Sequence, residues 1–210
     1  TLNIVAFILI WLLEANNPLT LGSMNIGEQA MNAWFQATVP RSSGFNTIDT
    51  GSMEHSTALL TMLLMFIGGG SLSTAGGIKV GTFVILLLCV ISFLRRNEEI
   101  RIFNHSVSQE TTYKALAVTA ITGMLVFIGC FTIFLLEPKL DVLDLMFEVV
   151  SAACTVGLSR GVTGELHDGS LFVLSLLMYT GRLGPLTLAY LIATPKKSRL
   201  KHANANIQIG

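Results

Sequence analysis

Two short polar stretches, each with a glycine near its middle, contain the residue types that could do chemistry in this chain. Residues 41–47 read Arg-Ser-Ser-Gly-Phe-Asn-Thr, and residues 154–161 read Cys-Thr-Val-Gly-Leu-Ser-Arg-Gly. Glycine permits backbone dihedral angles that a Cβ forbids, so these stretches can turn carbonyl oxygens toward a ligand. Rows of carbonyl oxygens replace the water shell of a dehydrated cation. One such glycine also fits an ordinary turn, but two in matched surroundings favour a cation path.

A third candidate is the run of small, polar and charged residues 68–79, Gly-Gly-Gly-Ser-Leu-Ser-Thr-Ala-Gly-Gly-Ile-Lys. It interrupts an apolar segment, residues 56–94, that would be about 58 Å long as one helix. A bilayer core is only about 30 Å thick. The glycines also disfavour a helix. The pattern predicts a helix broken at membrane depth, where irregular backbone must be buried in protein or line a wet cavity.

Two basic residues accompany this predicted break. Arg182 is the single charge in the last apolar run, residues 170–194. An arginine at membrane depth is functional by default, although it could also serve as a structural partner for carbonyls that the glycines leave free. Lys79 could face the path, or its side chain could extend to the membrane surface. A phosphate loop is not indicated, because Lys79 is not part of a Gly-Lys-Ser/Thr sequence.

The elements that must position these residues lie in a membrane. The chain is 51% hydrophobic and only 12% charged, whereas soluble domains carry about 25% charged residues. Eight of the thirteen basic residues lie in two stretches that we assign to the cytoplasm by the positive-inside rule. They are Arg95, Arg96, Arg101, Lys114, Lys196, Lys197, Arg199 and Lys201. Most acidic residues fall on the other side, where they either attract cations or form an ordinary solvated surface.

We therefore predict an all-α membrane protein built from two tandem units. Each unit has a membrane helix, a short re-entrant half-helix (residues 26–39 and 141–153), a glycine loop and a second membrane helix. The first unit is residues 1–112, with the broken helix and a cytoplasmic link, and the second is residues 113–195. Residues 196–210 form a cytoplasmic tail. A half-helix directs its partly negative C-terminal end at the loop that follows, which is a potassium-channel-like arrangement.

The motifs resemble those of the Trk/Ktr/HKT superfamily of potassium and sodium transporters, and look most like the Ktr-type membrane subunits. The matching stretches are residues 41–47, 68–79, 155–158 (Thr-Val-Gly-Leu), 181–186 (Gly-Arg-Leu-Gly-Pro-Leu) and 209–210 (Ile-Gly). The resemblance implies four pore repeats around one central pore. This chain would supply the third and fourth repeats.

The resemblance also implies roles for particular residues. The selectivity filter would consist of Ser42, Ser43, Gly44, Phe45, Thr155, Val156, Gly157 and Leu158, with backbone carbonyls that bind K⁺. An intramembrane gate loop below the filter would consist of Gly68, Gly69, Gly70, Ser71, Ser73, Thr74, Ala75, Gly76, Gly77 and Lys79, with Arg182 as its partner. A single glycine per filter loop implies a loose filter that prefers potassium and admits some sodium.

The expected function is potassium uptake across the cell membrane by a multi-pass, pore-forming subunit with a cytoplasmic C-terminus. No catalysis and no cofactor are expected. The alternatives are a Na⁺-permeable or Na⁺-coupled transporter of the same superfamily, or a regulatory or assembly half without transport. By resemblance, the partners are a second membrane subunit in a homodimer, with Ile209 and Gly210 near the interface, and a cytosolic nucleotide-binding ring. No nucleic-acid partner is expected.

Overall fold

The computed structural model describes residues 1–70, 73, 75–96, 101–102 and 105–184, and the regular secondary structure in these ranges is helical apart from one small hairpin. The elements are α1 (Leu2–Glu14), α2 (Ile26–Thr38), α3 (His55–Phe66), α4 (Val80–Leu94), β1 (Arg101–Ile102), β2 (His105–Ser106), α5 (Gln109–Leu136), α6 (Val142–Ala153), a 3₁₀ turn (Val162–Glu165) and α7 (Asp168–Leu183). The strands β1 and β2 pair antiparallel. The prediction of an all-α fold is confirmed, and the hairpin within the predicted link is an addition to it.

Two short helices, α2 and α6, end at the two glycine stretches. They have 13 and 12 residues, so at 1.5 Å per residue each is roughly 20 Å long. Asp141 begins α6, because its Oδ1 accepts hydrogen bonds from the N–H groups of Leu143 at 2.9 Å and Asp144 at 3.3 Å. At the start of α2, the Asn25 N–H donates to Glu28 Oε2 at 3.2 Å. These bonds satisfy backbone and side-chain groups at the helix starts.

The break predicted in the apolar segment is present, since α3 ends at Phe66 and α4 begins at Val80. Backbone hydrogen bonds join the two ends of the intervening residues to each other. The Ile78 N–H donates to the Phe66 carbonyl and the Gly68 N–H to the Ile78 carbonyl, both at 2.9 Å. The Val80 N–H donates to the Gly69 carbonyl at 3.1 Å. The interrupting loop, as we call residues 68–79, is therefore pinned where it leaves and rejoins the helices.

Helix α5 starts earlier than the hydropathy pattern predicts. The second unit, with its first membrane helix, is predicted to begin at residue 113, but α5 begins at Gln109 because the Ser108 hydroxyl accepts the N–H of Thr111 at 3.3 Å. Among the described helices, α5 is the one that is long and apolar enough to cross a membrane by itself. Three shorter apolar helices accompany it: Leu2–Glu14, His55–Phe66 and Val80–Leu94.

The short helix α6 is the centre of the packing, because it contacts α3, α5 and α7. One cluster of buried side chains joins α3 to α6 and the loop after α6, and includes Met62, Met65, Phe147 and Val156. A second joins α1, α2 and α3, and a third joins α5, α6 and α7. Helix α3 belongs to the first predicted unit and α6 to the second, so the first cluster holds the two units together.

Several carboxylates are structural and do not belong to a solvated acidic surface. Glu14 is fully buried. Its Oε2 accepts the Asn17 amide at 2.8 Å and the Thr20 hydroxyl at 2.5 Å, and its Oε1 accepts the Glu54 N–H at 3.0 Å. Glu137 and Glu148 are also buried. The expectation that the acidic residues face solvent is wrong for these three, since Glu14 and Glu137 accept backbone N–H groups and Glu148 accepts two hydroxyls.

Candidate functional site

The two glycine stretches, which are far apart in the sequence, lie against each other. The Ser42 hydroxyl donates to the Thr155 carbonyl at 2.8 Å. A Cβ added to Gly44 would lie 3.1 Å from the Val156 carbonyl oxygen, and a Cβ added to Gly157 would lie 3.4 Å from the Gly44 Cα. The structure therefore brings the predicted filter residues of both units to one place. We call residues 41–47 the first glycine loop and residues 154–161 the second glycine loop.

Both loops share an unusual backbone pattern. In the first, Ser42 and Gly44 have positive φ angles of 73° and 67°. In the second, Thr155 and Gly157 have φ angles of 54° and 91°. Positive φ is uncommon for residues other than glycine. In both loops, residues with positive φ thus stand two positions apart, the second being the glycine.

The interrupting loop packs directly against the second glycine loop. The Gly76 N–H donates to the Thr155 hydroxyl at 3.1 Å. A Cβ on Gly76 would lie 2.5 Å from the Cys154 carbonyl oxygen, which is closer than real Cβ atoms approach. Glycine at position 76 therefore allows a backbone contact that no other residue would permit without displacement.

Helix α7 approaches the same place from the other side. A Cβ on Gly181 would overlap the Ala153 carbonyl oxygen and lie 3.3 Å from Cγ2 of Thr155. Thr155 is thus in contact with the first glycine loop and the interrupting loop, and next to α7. Arg182 follows Gly181 in the last turn of α7, and its side chain is exposed. Pro185 and Leu186 of the same motif lie outside the described residues.

Lys79 folds back onto the interrupting loop. Its ammonium donates to the carbonyls of Ser73 and Ala75, each at 2.7 Å, and the same residue immediately precedes α4. Hydrogen bonds from a charged donor are about twice as strong as neutral ones. The side chain therefore braces the loop from within. Ser71 and Thr74, which belong to the predicted gate loop, lie outside the described residues.

Phe45 and Leu158, the last residues of the two predicted filter segments, differ in burial. Leu158 is buried in the cluster that joins α3 and α6, whereas Phe45 is 72% exposed. No group of three or more His, Cys, Asp or Glu side chains in the described part of the chain could hold a metal ion. The donors available for a cation at the apposed loops are therefore backbone carbonyls and hydroxyls.

Glu148 and Arg160 are not among the functional residues that the sequence predicts. The Glu148 carboxylate accepts the hydroxyl of Ser159, and Arg160 pairs with Asp144 at 2.5 Å (Nε to Oδ1). Asp144 and Glu148 are four residues apart on α6 and thus lie on one face of it. That spacing was a signal in the sequence, but the partners of the two carboxylates are visible only in the structure.

The fold is thus helical, with two short helices, α2 and α6, that end at glycine loops lying against each other. The fold is similar to that of the potassium transporter TrkH from Vibrio parahaemolyticus, with a TM-score of 0.77 over 91% of this chain and 42% of that chain, at 21% sequence identity. The sequence model of the TrkH family, described as cation transport proteins, matches residues 1–201. The chain belongs to this family, as the sequence resemblance predicted, and a transport family implies a membrane location.

Two curated relatives are similar along the whole chain. The Ktr system potassium uptake protein B of Bacillus subtilis is 40% identical over 100% of this chain and 47% of its own length. The protein of the same name from Vibrio alginolyticus is 38% identical over 99% of this chain and 45% of its own length. The potassium/sodium uptake protein NtpJ of Enterococcus hirae is 33% identical over 96% of this chain. The chain thus spans about half the length of these relatives.

Proposed function

We propose that this chain supplies two of the four pore repeats of a potassium uptake pore. The observation that carries the proposal is the apposition of two glycine loops with the same alternation of φ. The carbonyls of Ser42, Ser43, Thr155 and Val156 line the ion path. A dehydrated K⁺ between the loops takes the place of the Ser42 hydroxyl at the Thr155 oxygen. The names of the relatives, potassium uptake proteins, support the choice of ion.

The interrupting loop is proposed as the gate of this pore. Its contact with Thr155 puts it next to the filter, and its hydrogen bonds to Lys79 keep it compact. Arg182, adjacent to the helix position that touches the second glycine loop, is proposed as the gate partner. A positive charge near the path also repels a cation and raises the barrier to its passage.

The assembly proposed around the pore follows from the family. Residues 1–112 and 113–195 are the two pore repeats, and residues 196–210 are a cytoplasmic tail. The membrane subunit forms a homodimer in the plasma membrane, and a cytosolic nucleotide-binding ring docks on its cytoplasmic side. The word "system" in the names of two relatives supports a transporter with more than one component.

The test is ion flux into vesicles that contain the full-length transporter, measured with K⁺ and with Na⁺. Wild-type protein should carry K⁺ in preference to Na⁺. Gly157→Ser should lower that preference, because a side chain at φ 91° strains the backbone that carries the adjacent carbonyls. Gly164→Ser is the matched control, since a Cβ at Gly164 meets no atom within 4 Å.

The outcomes separate two failures. An absence of K⁺ flux from folded wild-type protein would contradict the transport function. Normal flux with an unchanged K⁺/Na⁺ ratio in Gly157→Ser would contradict the assignment of the second glycine loop to the filter.

A further inference from the structure

One face of α6 is hydrogen-bonded to the extended segment that begins at Gly157 in the second glycine loop. The Ser151 hydroxyl oxygen accepts the N–H of Gly157 at 3.2 Å. One turn earlier on the helix, the Glu148 carboxylate accepts the hydroxyl of Ser159, and that of Thr163 at 3.0 Å. Glu148 is only 7% exposed, so both bonds lie in a protected environment. Successive turns of α6 are therefore hydrogen-bonded to this segment, which runs in the opposite direction to the helix.

Asp144, one turn before Glu148 on the same face, connects α6 to the first unit through Arg160. Asp144 pairs with Arg160 at 2.5 Å (Oδ1 to Nε). The two terminal nitrogens of the guanidinium donate to the carbonyls of Thr50 at 3.0 Å and Gly51 at 3.1 Å. The Arg160 side chain is only 7% exposed. A Cβ on Gly51 would lie 2.9 Å from the Arg160 carbonyl oxygen, so the two backbones are also in close contact.

The first glycine loop has no comparable attachment to its own half-helix. In the described part of the chain, no side chain of α2 bonds to residues 41–47. Gln36, buried on α2 at 2% exposure, has no hydrogen-bond partner there for either amide atom. Two sets of hydrogen bonds connect the first glycine loop and the residues after it to the second unit. The Ser42 hydroxyl donates to the Thr155 carbonyl, and Arg160 donates to the carbonyls of Thr50 and Gly51.

We propose that Arg160, held by Asp144, is a positioning residue for ion selectivity. It connects Thr50 and Gly51, which follow the first glycine loop, to Asp144 on α6. The same face of α6 also holds the second glycine loop. The distance between the two rows of carbonyls, and so the fit of the ion, depends on this clamp. The inference rests on the proposed function of the two loops as a filter.

The chemistry of the clamp requires arginine. A guanidinium presents N–H donors in a fixed planar fork, so it can bond a carboxylate and two carbonyls at once. The ammonium of lysine keeps the positive charge but lacks the planar arrangement of N–H donors. Arg160→Lys therefore separates positioning from charge, and Arg160→Gln removes both.

The experiment measures the K⁺/Na⁺ flux ratio of the full-length transporter in vesicles with matched amounts of folded protein. Arg160→Gln, Arg160→Lys and Asp144→Asn should each lower the ratio about threefold or more, in the range of coupling between contacting residues. A purely structural role would reduce the flux of both ions together and leave the ratio unchanged. Lys139→Gln is the control, because it makes the same charge change at an exposed residue of a turn.

If the wild-type protein carries K⁺, each result for the variants either supports or overturns the proposed role of Arg160. A wild-type ratio in Arg160→Lys with a lowered ratio in Arg160→Gln would show that charge matters and overturn the clamp. Wild-type ratios in all variants would also overturn it and leave the pore function standing. If Arg160→Gln does not fold, Asp144→Asn, which removes the charge that holds Arg160, should lower the ratio, and an unchanged ratio there overturns the proposal. A wild-type protein without flux would instead contradict the pore function.

Discussion

Gly181 lies where α7 passes closest to the end of α6. A Cβ at this position would overlap the Ala153 carbonyl oxygen, which belongs to backbone and cannot turn aside as a flexible side chain could. Gly123, in the middle of α5, offers a contrast, because a Cβ there would meet no atom within 4 Å. The same residue type therefore has a packing role in one helix and none in the other.

At the residue scale we expect Gly181→Ala to destabilise the protein by roughly 1–3 kcal/mol, the range for overpacking. Gly123→Ala should stabilise it by roughly 0.5–1 kcal/mol, because alanine is the better helix former. Thermal unfolding of the purified protein in detergent measures both changes. Equal effects of the two substitutions would show that the close contact at Gly181 is not important for stability.

At the scale of elements, the interrupting loop is a compact piece held by its own lysine. Lys79→Met keeps the length of the side chain and removes the donors to Ser73 and Ala75. If the loop is the gate, the loss of these charge-assisted bonds should raise the open population and the K⁺ flux by about tenfold. The K⁺/Na⁺ ratio should stay unchanged, because the carbonyls of the proposed filter are not altered.

Flux into vesicles with matched protein amounts checks this expectation. Lys114→Met is the control, because Lys114 is half-exposed on α5 and pairs with Glu110 of the same helix. Unchanged flux in Lys79→Met would contradict the idea that this lysine keeps the loop closed.

Another element-scale feature is the connection between the end of α5 and the start of α7. Glu137, the residue after α5, accepts the Ser170 hydroxyl at 2.7 Å and the His167 N–H at 2.8 Å. These bonds, with a smaller contribution from the His167 ring, lower the pKa of Glu137 from its ordinary value of 4.5 to about 2. The folded state thus favours the ionised carboxylate.

Because this pKa is lower in the folded than in the unfolded state, the connection stabilises the fold fully above pH 4.5 and loses its effect as the pH falls toward 2. Glu137→Gln should remove that part of the pH dependence. The measurement is the unfolding midpoint of both proteins across this pH window. Parallel pH profiles for the wild type and the variant would show that Glu137 does not couple folding to its ionisation.

At the scale of the whole molecule, the two units share a core. Phe147 is completely buried and belongs to the cluster that joins α3 of the first unit with α6 of the second. Phe147→Ala should cost about 3–5 kcal/mol and loosen the contact between the units. Phe172→Ala, the same change at a position that is 65% exposed, should cost much less.

Unfolding followed by a probe in each unit tests this expectation, and both probes should report the same destabilisation. If only the probe in the second unit responds, the units do not unfold together and the shared cluster does not couple them.

Local signals in the sequence were sufficient for many of these features. The length and glycine content of residues 56–94 require a helix break, and the capping residue Asp141 marks the start of α6. The glycines at 44 and 157 identify the two loops, because glycine is itself the signal for an unusual backbone. Family membership also followed from contiguous motifs. Such features depend on neighbours along the chain, and are therefore readable from it.

The tertiary structure alone decided which distant groups meet. Arg160 and Thr50 are 110 residues apart, and nothing in the local pattern of either predicts the contact. The burial of Glu14, Glu137 and Glu148, which in the sequence resemble surface charges, depends on backbone N–H groups and hydroxyls supplied by other segments. The direction of the Lys79 side chain depends on the fold of the loop before it. Hydrogen bonds between distant segments form only when packing brings the partners together, so the spacing of residues along the chain does not encode them.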